Sequence, residues 1–320
     1  MTFHNFIDVF WPSTVNGIVL GSVYALIALG YTLVYGVLRL INFAHADIFM
    51  LATFGSFIAI GMMGIGTGTQ YRTGMTLILA LTLCMVVSVV IGGAGAVALE
   101  FIAYRPLRRR NAPRLVFLIS AIGASFAISE AVGEWGPKQR DEYRVTRLLR
   151  TEKLFNIFTA RVTNVYVIVV VSALVMMMII YAFVNRTRVG RGIRAVAQDA
   201  DTARLMGVNV NQVIVITFLV GGLMAGGAAF LYEIYNGTTR STLGFLLGIK
   251  AFTAAVLGGI GNIRGALLGG LLLGVIEQYG ASLFGSDQNM GNVTAFVVLV
   301  LVLLVRPTGL LGESLGRARA

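Results

Sequence analysis

The residues in this sequence with the chemistry to act on a small molecule fall into two groups. In the first, Asn42, His45 and Asp47 are crowded into I-N-F-A-H-A-D, just ahead of the apolar run Ile48 to Ile65. An ionised aspartate at mid-membrane costs about 2.5–3.5 kcal/mol on insertion scales, so His45 and Asp47 belong at an interface or beside a wet, protein-lined space. Nothing pairs either residue with a third group at metal or proton-relay spacing, so no metal is expected. The single cysteine, Cys84, lies inside an apolar run, which excludes an internal disulfide and a multi-cysteine metal site. No paired catalytic carboxylates, no Ser/His/Asp arrangement and no metal cluster are evident, which argues against a membrane enzyme.

The second group is a polar island, Arg186 to Gln212, set between two hydrophobic runs. Its five arginines (Arg186, Arg188, Arg191, Arg194, Arg204) face only Asp199 and Asp201, an excess that belongs on the cytoplasmic side of a membrane. Ile193, Val196, Ala197, Ala200, Ala203 and Leu205 fall near a helical period, and Gly207 is placed to close the helix. The spacing predicts a surface helix of three to four turns, available to a partner; a plain solvated connector would have the same composition.

Both groups must be positioned by membrane spans. Of 320 residues 57% are hydrophobic and 12% charged, about half the charged share of a soluble domain. The formal charge of +11 lies beside the apolar runs, where it sets orientation, and no nucleic-acid partner is expected. The first fourteen residues carry no Lys or Arg, which argues against a cleaved secretory signal. Val15 to Leu38 is an uncharged run of 24 residues, and its Gly17, Gly21, Ala25 and Ala28 form a small-residue stripe for close helix packing. Further spans are expected over Ile48 to Ile65, Met75 to Leu99, Leu115 to Gly133, Asn164 to Asn185, Val213 to Tyr235, and at Asn292 to Val305 with its preceding residues. A polar turn over Gly66 to Gly74 separates the second and third.

Five arginines between Arg105 and Arg114 mark an inside loop. By alternation, 134–163 is outside, although its seven basic residues outnumber four acids. Parity then requires Leu243 to Glu277 to return to the side it started from. That region divides into Ala251 to Gly261 and Gly265 to Ile276, each about 17–18 Å long as helix. Two half-helices in a re-entrant hairpin, or two short tilted helices, satisfy both constraints. The whole is an all-α polytopic membrane protein of about eight hydrophobic segments, a single domain over 1–320.

Several motifs together resemble one family. They are N-G-I-V-L-G-S-V-Y-A-L-I-A-L-G-Y-T-L-V-Y-G from Asn16, I-N-F-A-H-A-D-I-F-M-L from Ile41, A-Y-R-P-L-R from Ala103, L-I-S-A-I-G-A-S from Leu118 and G-R-G-I-R-A-V-A-Q-D from Gly190. K-A-F-T-A-A-V-L-G-G-I-G-N-I-R-G-A from Lys250 and R-P-T-G-L-L-G from Arg306 complete the set. Over almost its whole length the chain is similar to the H-type permease subunits of bacterial branched-chain amino acid ABC importers. The segment from Glu134 to Thr163 departs from the pattern.

The resemblance implies an ABC importer permease fold in the bacterial inner membrane. It also implies a second homologous permease subunit, two cytoplasmic ATPase subunits that bind the ATP, an external substrate-binding protein, and no cofactor in this chain. It assigns Gly190 to Asn209, within 186–212, as the cytoplasmic coupling loop, with Arg191, Arg194, Asp199, Ala203 and Gly207 against a groove of the ATPase. The chain lacks a G-x-x-x-x-G-K-S/T loop, so force must arrive through a contact surface. Tyr24, Asn42, His45, Asp47 and Asn262 are the candidates for the translocation path, because polar groups at membrane depth line cavities. Similar permeases serve urea and short-chain amides. An ion-coupled secondary transporter using Asp47, Glu130 or Glu233 is the reading from another class.

Overall fold

The computed structural model describes residues 3–65, 71–135, 143–283, 288–306 and 308–312. Residues 66–70 of the expected Gly66 to Gly74 turn, 136–142 of the expected outer loop, and Pro307 and 313–320 of the basic tail lie outside the described residues. The elements in chain order begin with α1 (Phe3–Leu38), α2 (His45–Met62) and α3 (Gly74–Leu99). The last runs through a π-helical turn, Glu100–Tyr104, into α4 (Arg105–Arg109). Next come α5 (Arg114–Trp135), β1 (Tyr143–Arg144), β2 (Lys153–Ile157), β3 (Ala160–Thr163) and α6 (Asn164–Arg186). Then come α7 (Arg188–Gln198), α8 (Ala200–Leu205), α9 (Val210–Asn236), β4 (Thr238–Thr239), α10 (Leu243–Gly258), α11 (Ile263–Leu283) and α12 (Gln288–Val305).

Among the described residues seven helices are long and apolar enough to cross a membrane, and α10 and α12 are shorter apolar helices. The expected spans therefore recur as helices with ends shifted by a few residues, except that α1 begins at Phe3, well ahead of the expected Val15. Burial sorts them. α1 and α9 are wrapped by their neighbours, whereas α3, α5 and α6 leave most of their apolar surface uncovered. Without a hydrophobic drive between helices in lipid, association rests on close packing, and small residues make that possible. A Cβ on Gly21 would come within 2.8 Å of the Gly270 and Leu271 backbone of α11. One turn earlier, Gly17 meets Gly274 and Val275. The α9 seam repeats this arrangement: Gly226 lies on Ser88 and Val89 of α3, and Gly222 on Gly92. The α1–α11 and α9–α3 seams are thus both close small-residue crossings.

Hydrogen bonds sort the connections into two ends. The Arg72 amide donates to the Leu148 carbonyl (3.0 Å), the Val145 amide to the Gly237 carbonyl (3.0 Å), and β1 pairs with β4. The α2–α3 connection, 143–163 and the α9–α10 connection therefore share one end. At the other, Arg39 Nη2 donates to the Ala197 carbonyl (2.9 Å), joining the foot of α1 to α7.

Neither α2 nor α10 starts at a rim. The chain reverses at Arg39, in the left-handed region at φ 54, and residues 39–44 climb back along α1 before helix begins. His45 is level with Gly30 and Tyr31, its ring 4.9 Å from that of Tyr31, seven residues or about 10 Å short of the end of α1. Non-helical backbone at this depth is tolerated only inside protein, and Asn42 and Ala44 are indeed buried. α10 descends from β4 to meet it, with Gly244 against Asp47 and Gly248 against Ala46. The first turns of two half-depth helices thus abut.

The region expected as two helices of about 17–18 Å is longer than the sequence reading. α10 has 16 residues, about 24 Å, and α11 has 21, about 32 Å. Asn262 and Arg264 do not end the helical run early; they start α11, which continues past Ile276 to Leu283. Gly259 (φ 107) and Gly261 (φ 96) make the turn between the two helices. Leu310 and Leu311 amides bond the Leu257 and Gly258 carbonyls, so the chain beyond α12 returns to this turn.

Candidate functional site

The polar stretch 42–47 is one of the places where polar groups among the described residues are left unanswered. Among the described residues, both side-chain polar atoms of buried Asn42, Nε2 of buried His45 and Oγ1 of buried Thr32 have no hydrogen-bond partner. Such groups are expensive in a dry interior, so this is a place the protein tolerates for a reason other than stability. Asp47 is answered. It sits in the first turn of α2, accepts a short hydrogen bond from the Ser125 hydroxyl of α5, and lies against Gly244 in the first turn of α10. Two helix N-termini converge on one carboxylate, and their partial positive charge offsets burial. Of the two placements the sequence allows, an interface or a protein-lined space, the structure excludes the first: His45 and Asp47 are enclosed by protein.

Two other path candidates have structural duties. The Tyr24 hydroxyl donates to Glu277 Oε2 (2.9 Å), and Lys250 Nζ donates to Glu277 Oε1 (2.7 Å) and to the Tyr24 hydroxyl (3.3 Å). All three are buried, so Tyr24 closes a triad around the Lys250–Glu277 ion pair that joins α1, α10 and α11. Asn262 caps α11: its Oδ1 accepts from the Arg264 amide (3.0 Å) and the Gly265 amide (3.2 Å), and its Nδ2 donates to the Leu311 carbonyl (2.9 Å). Sequence reasoning missed Lys250 and Glu277 as a pair. A lone charge in each of two apolar runs was the available clue. Of the remaining acids, Glu130 is on the exposed side of α5 and Glu233 is buried in α9.

In the island, the single expected helix is two. Thr187 caps α7, its hydroxyl accepting from the Gly190 amide (3.0 Å), and Gly190 packs so tightly on the Phe183 and Val184 carbonyls that a Cβ would not fit. Arg194 donates a short hydrogen bond back to the Val184 carbonyl, and Arg191 is exposed. α7 ends at Asp199, whose extended backbone (φ −153°, ψ 112°) breaks the helix. Its Oδ1 then accepts from the Asp201 amide (2.9 Å) and the Thr202 amide (3.2 Å), and its Oδ2 pairs with the Thr202 hydroxyl (2.6 Å). Asp199 is therefore an N-cap of α8.

The break rotates α8 relative to α7. Ile193, Val196 and Ala203 face inward, Ala203 at 4% exposure, so Ala203 offers a partner no surface. Leu205 and Met206, the first of which the helical period places on the buried stripe, stand out at 88% and 80%. Gly207, at φ 83, turns the chain back toward α9. The projecting surface is an apolar tip flanked by Arg204, and it was hidden from the sequence by a helix break inside an apparently continuous period.

The Thr202 hydroxyl and the Thr202 and Asp201 amides hold the Asp199 carboxyl below its ordinary value. A depressed folded value means that the cap contributes above the unfolded value of about 3.9 and is lost as pH falls through the folded one. At neutral pH, Asp199→Ala is expected to speed amide hydrogen exchange at Asp201 and Thr202, and Asp199→Asn to restore most of the protection. Unchanged exchange in Asp199→Ala would refute the cap.

Two helices that begin within a bundle of spans, with an apolar tip projecting at one end, form an arrangement suited to a membrane permease. The family model described as the permease component of the branched-chain amino acid transport system matches residues 13–303, and the chain belongs to that family. It is 41% identical over 305 residues to the high-affinity branched-chain amino acid transport system permease protein BraD of Pseudomonas aeruginosa, covering 93% of this chain and 94% of that protein. It is 39% identical over 310 residues to the permease protein LivH of Escherichia coli, with the same coverage. Among solved structures, PsaBC from Streptococcus pneumoniae aligns over 96% of this chain and 94% of that chain, at TM-score 0.43 and 13% identity. The protein is a multi-pass membrane permease subunit of the ABC importer type.

Proposed function

We propose that this permease carries leucine, isoleucine and valine across the bacterial inner membrane. It works with a second homologous permease subunit, two cytoplasmic ATPase subunits and an external binding protein. The observation that carries this reading is the link between the exposed tip and the unsatisfied centre. Leu205 and Met206 project from α8; α7, on the same rigid arm, is bonded through the Ala197 carbonyl to Arg39; and Arg39 is the turn from which residues 40–44 climb to Asn42, His45 and Asp47. An ATPase groove that grips the tip and moves it thus pulls on the foot of the broken segment. The Asn42 amide and His45 Nε2, which lack partners here, gain them when the segment shifts and water or substrate reaches them. The island end is then cytoplasmic, and 143–163 lies outside, where a binding protein docks. The branched-chain cargo rests on the relatives at 39–41% identity, whose names state it.

The test is reconstitution. The permease pair and ATPases are placed in proteoliposomes with binding protein outside and ATP inside. Leucine uptake, competed by isoleucine and valine but not by urea, with leucine-stimulated ATP hydrolysis, is the expected result. Uptake that persists without ATP and collapses with an uncoupler would establish the ion-coupled alternative instead. Competition by urea, with none by valine, would establish an amide or urea permease.

A further inference from the structure

A second polar site lies away from the broken helices, at the end of the bundle that carries β1 and β4. A cavity of about 390 Å³ opens between α2, α3, α6 and α9 beneath residues 145–151, within the range of about 300–1,000 Å³ usual for small-ligand sites. Glu233 lines it, 3% exposed, and no cation is paired with its carboxylate among the described residues. The Ser56 hydroxyl, which also meets that of Ser88 (2.9 Å), is the neutral group beside that carboxylate. The other buried carboxylates among the described residues each have a named partner: Glu277 has Lys250, Glu100 has Arg108 on one oxygen, and Asp47 has Ser125 and helix ends. A buried carboxyl without a cation stays neutral until a cation that enters the cavity pairs with it, so it is a receptor for a positively charged group. Arg147 lines the same cavity and is exposed, so the cavity reaches the surface beside it, over Gly237. Ile60, Leu81 and Phe230 give the cavity an apolar part to its wall, beside polar residues such as Thr146, Tyr166 and Asn236.

We propose that this cavity is an amino-acid site within the permease itself. The ammonium group bonds to Glu233, the carboxylate faces Arg147 and an aliphatic side chain rests on the apolar wall. Charge-assisted bonds at both ends select a zwitterion over a simple amine or acid. The choice of leucine as ligand rests on the proposed transport function, whereas the part played by Glu233 does not.

Cys84 is the only cysteine in the chain, and it lines the cavity. In the assembled transporter, purified in nanodiscs without binding protein, methyl methanethiosulfonate modification of Cys84 is followed by peptide mass spectrometry. Leucine is expected to slow the modification at least threefold, isobutylamine less, and isovalerate not at all. Glu233→Gln is expected to abolish protection. Arg147→Gln, a change at the exposed mouth that leaves the buried carboxylate intact, is expected to reduce leucine to the level of isobutylamine. Equal protection by isovalerate, protection that survives in Glu233→Gln, no effect of leucine, or a Cys84 that does not react in the absence of ligand would each overturn the proposal. ATP-driven uptake with no effect of leucine on Cys84 defeats this site alone; protection of Cys84 without ATP-driven uptake defeats the transport reading alone.

Discussion

Replacing Leu205 and Met206 together by aspartate is expected to leave the permease in the membrane at near-normal amounts while uptake falls by two orders of magnitude or more. Both side chains are almost wholly exposed, so neither contributes to the fold of the subunit. An apolar anchor buried at the centre of a partner interface contributes about 2 kcal/mol or more, and two such anchors are worth roughly a thousandfold in affinity. Aspartate also buries an unpaired charge in the contact. Substrate-stimulated ATP hydrolysis should be lost in parallel, because the ATPases no longer sense the permease. A change at Ala203 is not informative in this way: Ala203→Trp would disrupt the packing of α8 itself, since the residue faces inward. Wild-type uptake by the double aspartate variant would remove the tip from the coupling surface.

The second large effect concerns the buried triad. Removing one partner from a buried ion pair costs about 3–5 kcal/mol, because the remaining charge has no water to turn to. Lys250→Met strands Glu277, and Glu277→Leu strands Lys250; each should lower the melting temperature of the detergent-solubilised protein sharply and reduce its yield. The double variant should recover most of the loss, since two apolar groups of similar size fill the same space without an unpaired charge. Tyr24→Phe, which removes one hydrogen bond of the triad, should have the smaller effect, about 1 kcal/mol. Three equal losses, with no recovery in the double variant, would show that these residues do more than hold α1, α10 and α11 together.

The spans were readable because a long apolar run has few other places to go, and Val15 to Leu38 or Asn164 to Asn185 leave no alternative to helix at membrane depth. The small-residue stripe of Gly17 and Gly21 was readable for the same kind of reason, and its partner on α11 was present as a row of glycines. Anything that depended on two segments meeting could not be read. Lys250 and Glu277 are 27 residues apart, and each looks like an isolated intruder in an apolar run until the turn at Gly259 and Gly261 brings them together. Tyr24 and Asn262 were singled out for being polar at depth, yet hydrogen bonding between elements already accounts for both. The choice at His45 and Asp47 between an interface and a protein-lined space could not be made from hydropathy, which does not reveal that residues 39–44 climb back along α1.

The island shows a different limit. Its charge excess and apolar period were legible, but the period was extended through Asp199, and Leu205 was placed on the wrong face. The sequence did contain the sign of a break: Asp199 with Thr202 three residues later is an N-cap pattern, and it marks a new helix start inside the run. Caps outrank periodicity in so short a segment, because six residues of helix cannot override the hydrogen bonds that start them.

The account turns on the tip of α8 being a cytoplasmic handle for the ATPase subunits. With Cys84 replaced by serine and a cysteine introduced at Leu205, a membrane-impermeant maleimide can be applied to right-side-out and inside-out vesicles, with and without the ATPase subunits. The account predicts labelling only in inside-out vesicles, and strong protection once the ATPases are assembled. Labelling from the outer face, or equal labelling with the ATPases in place, would contradict it.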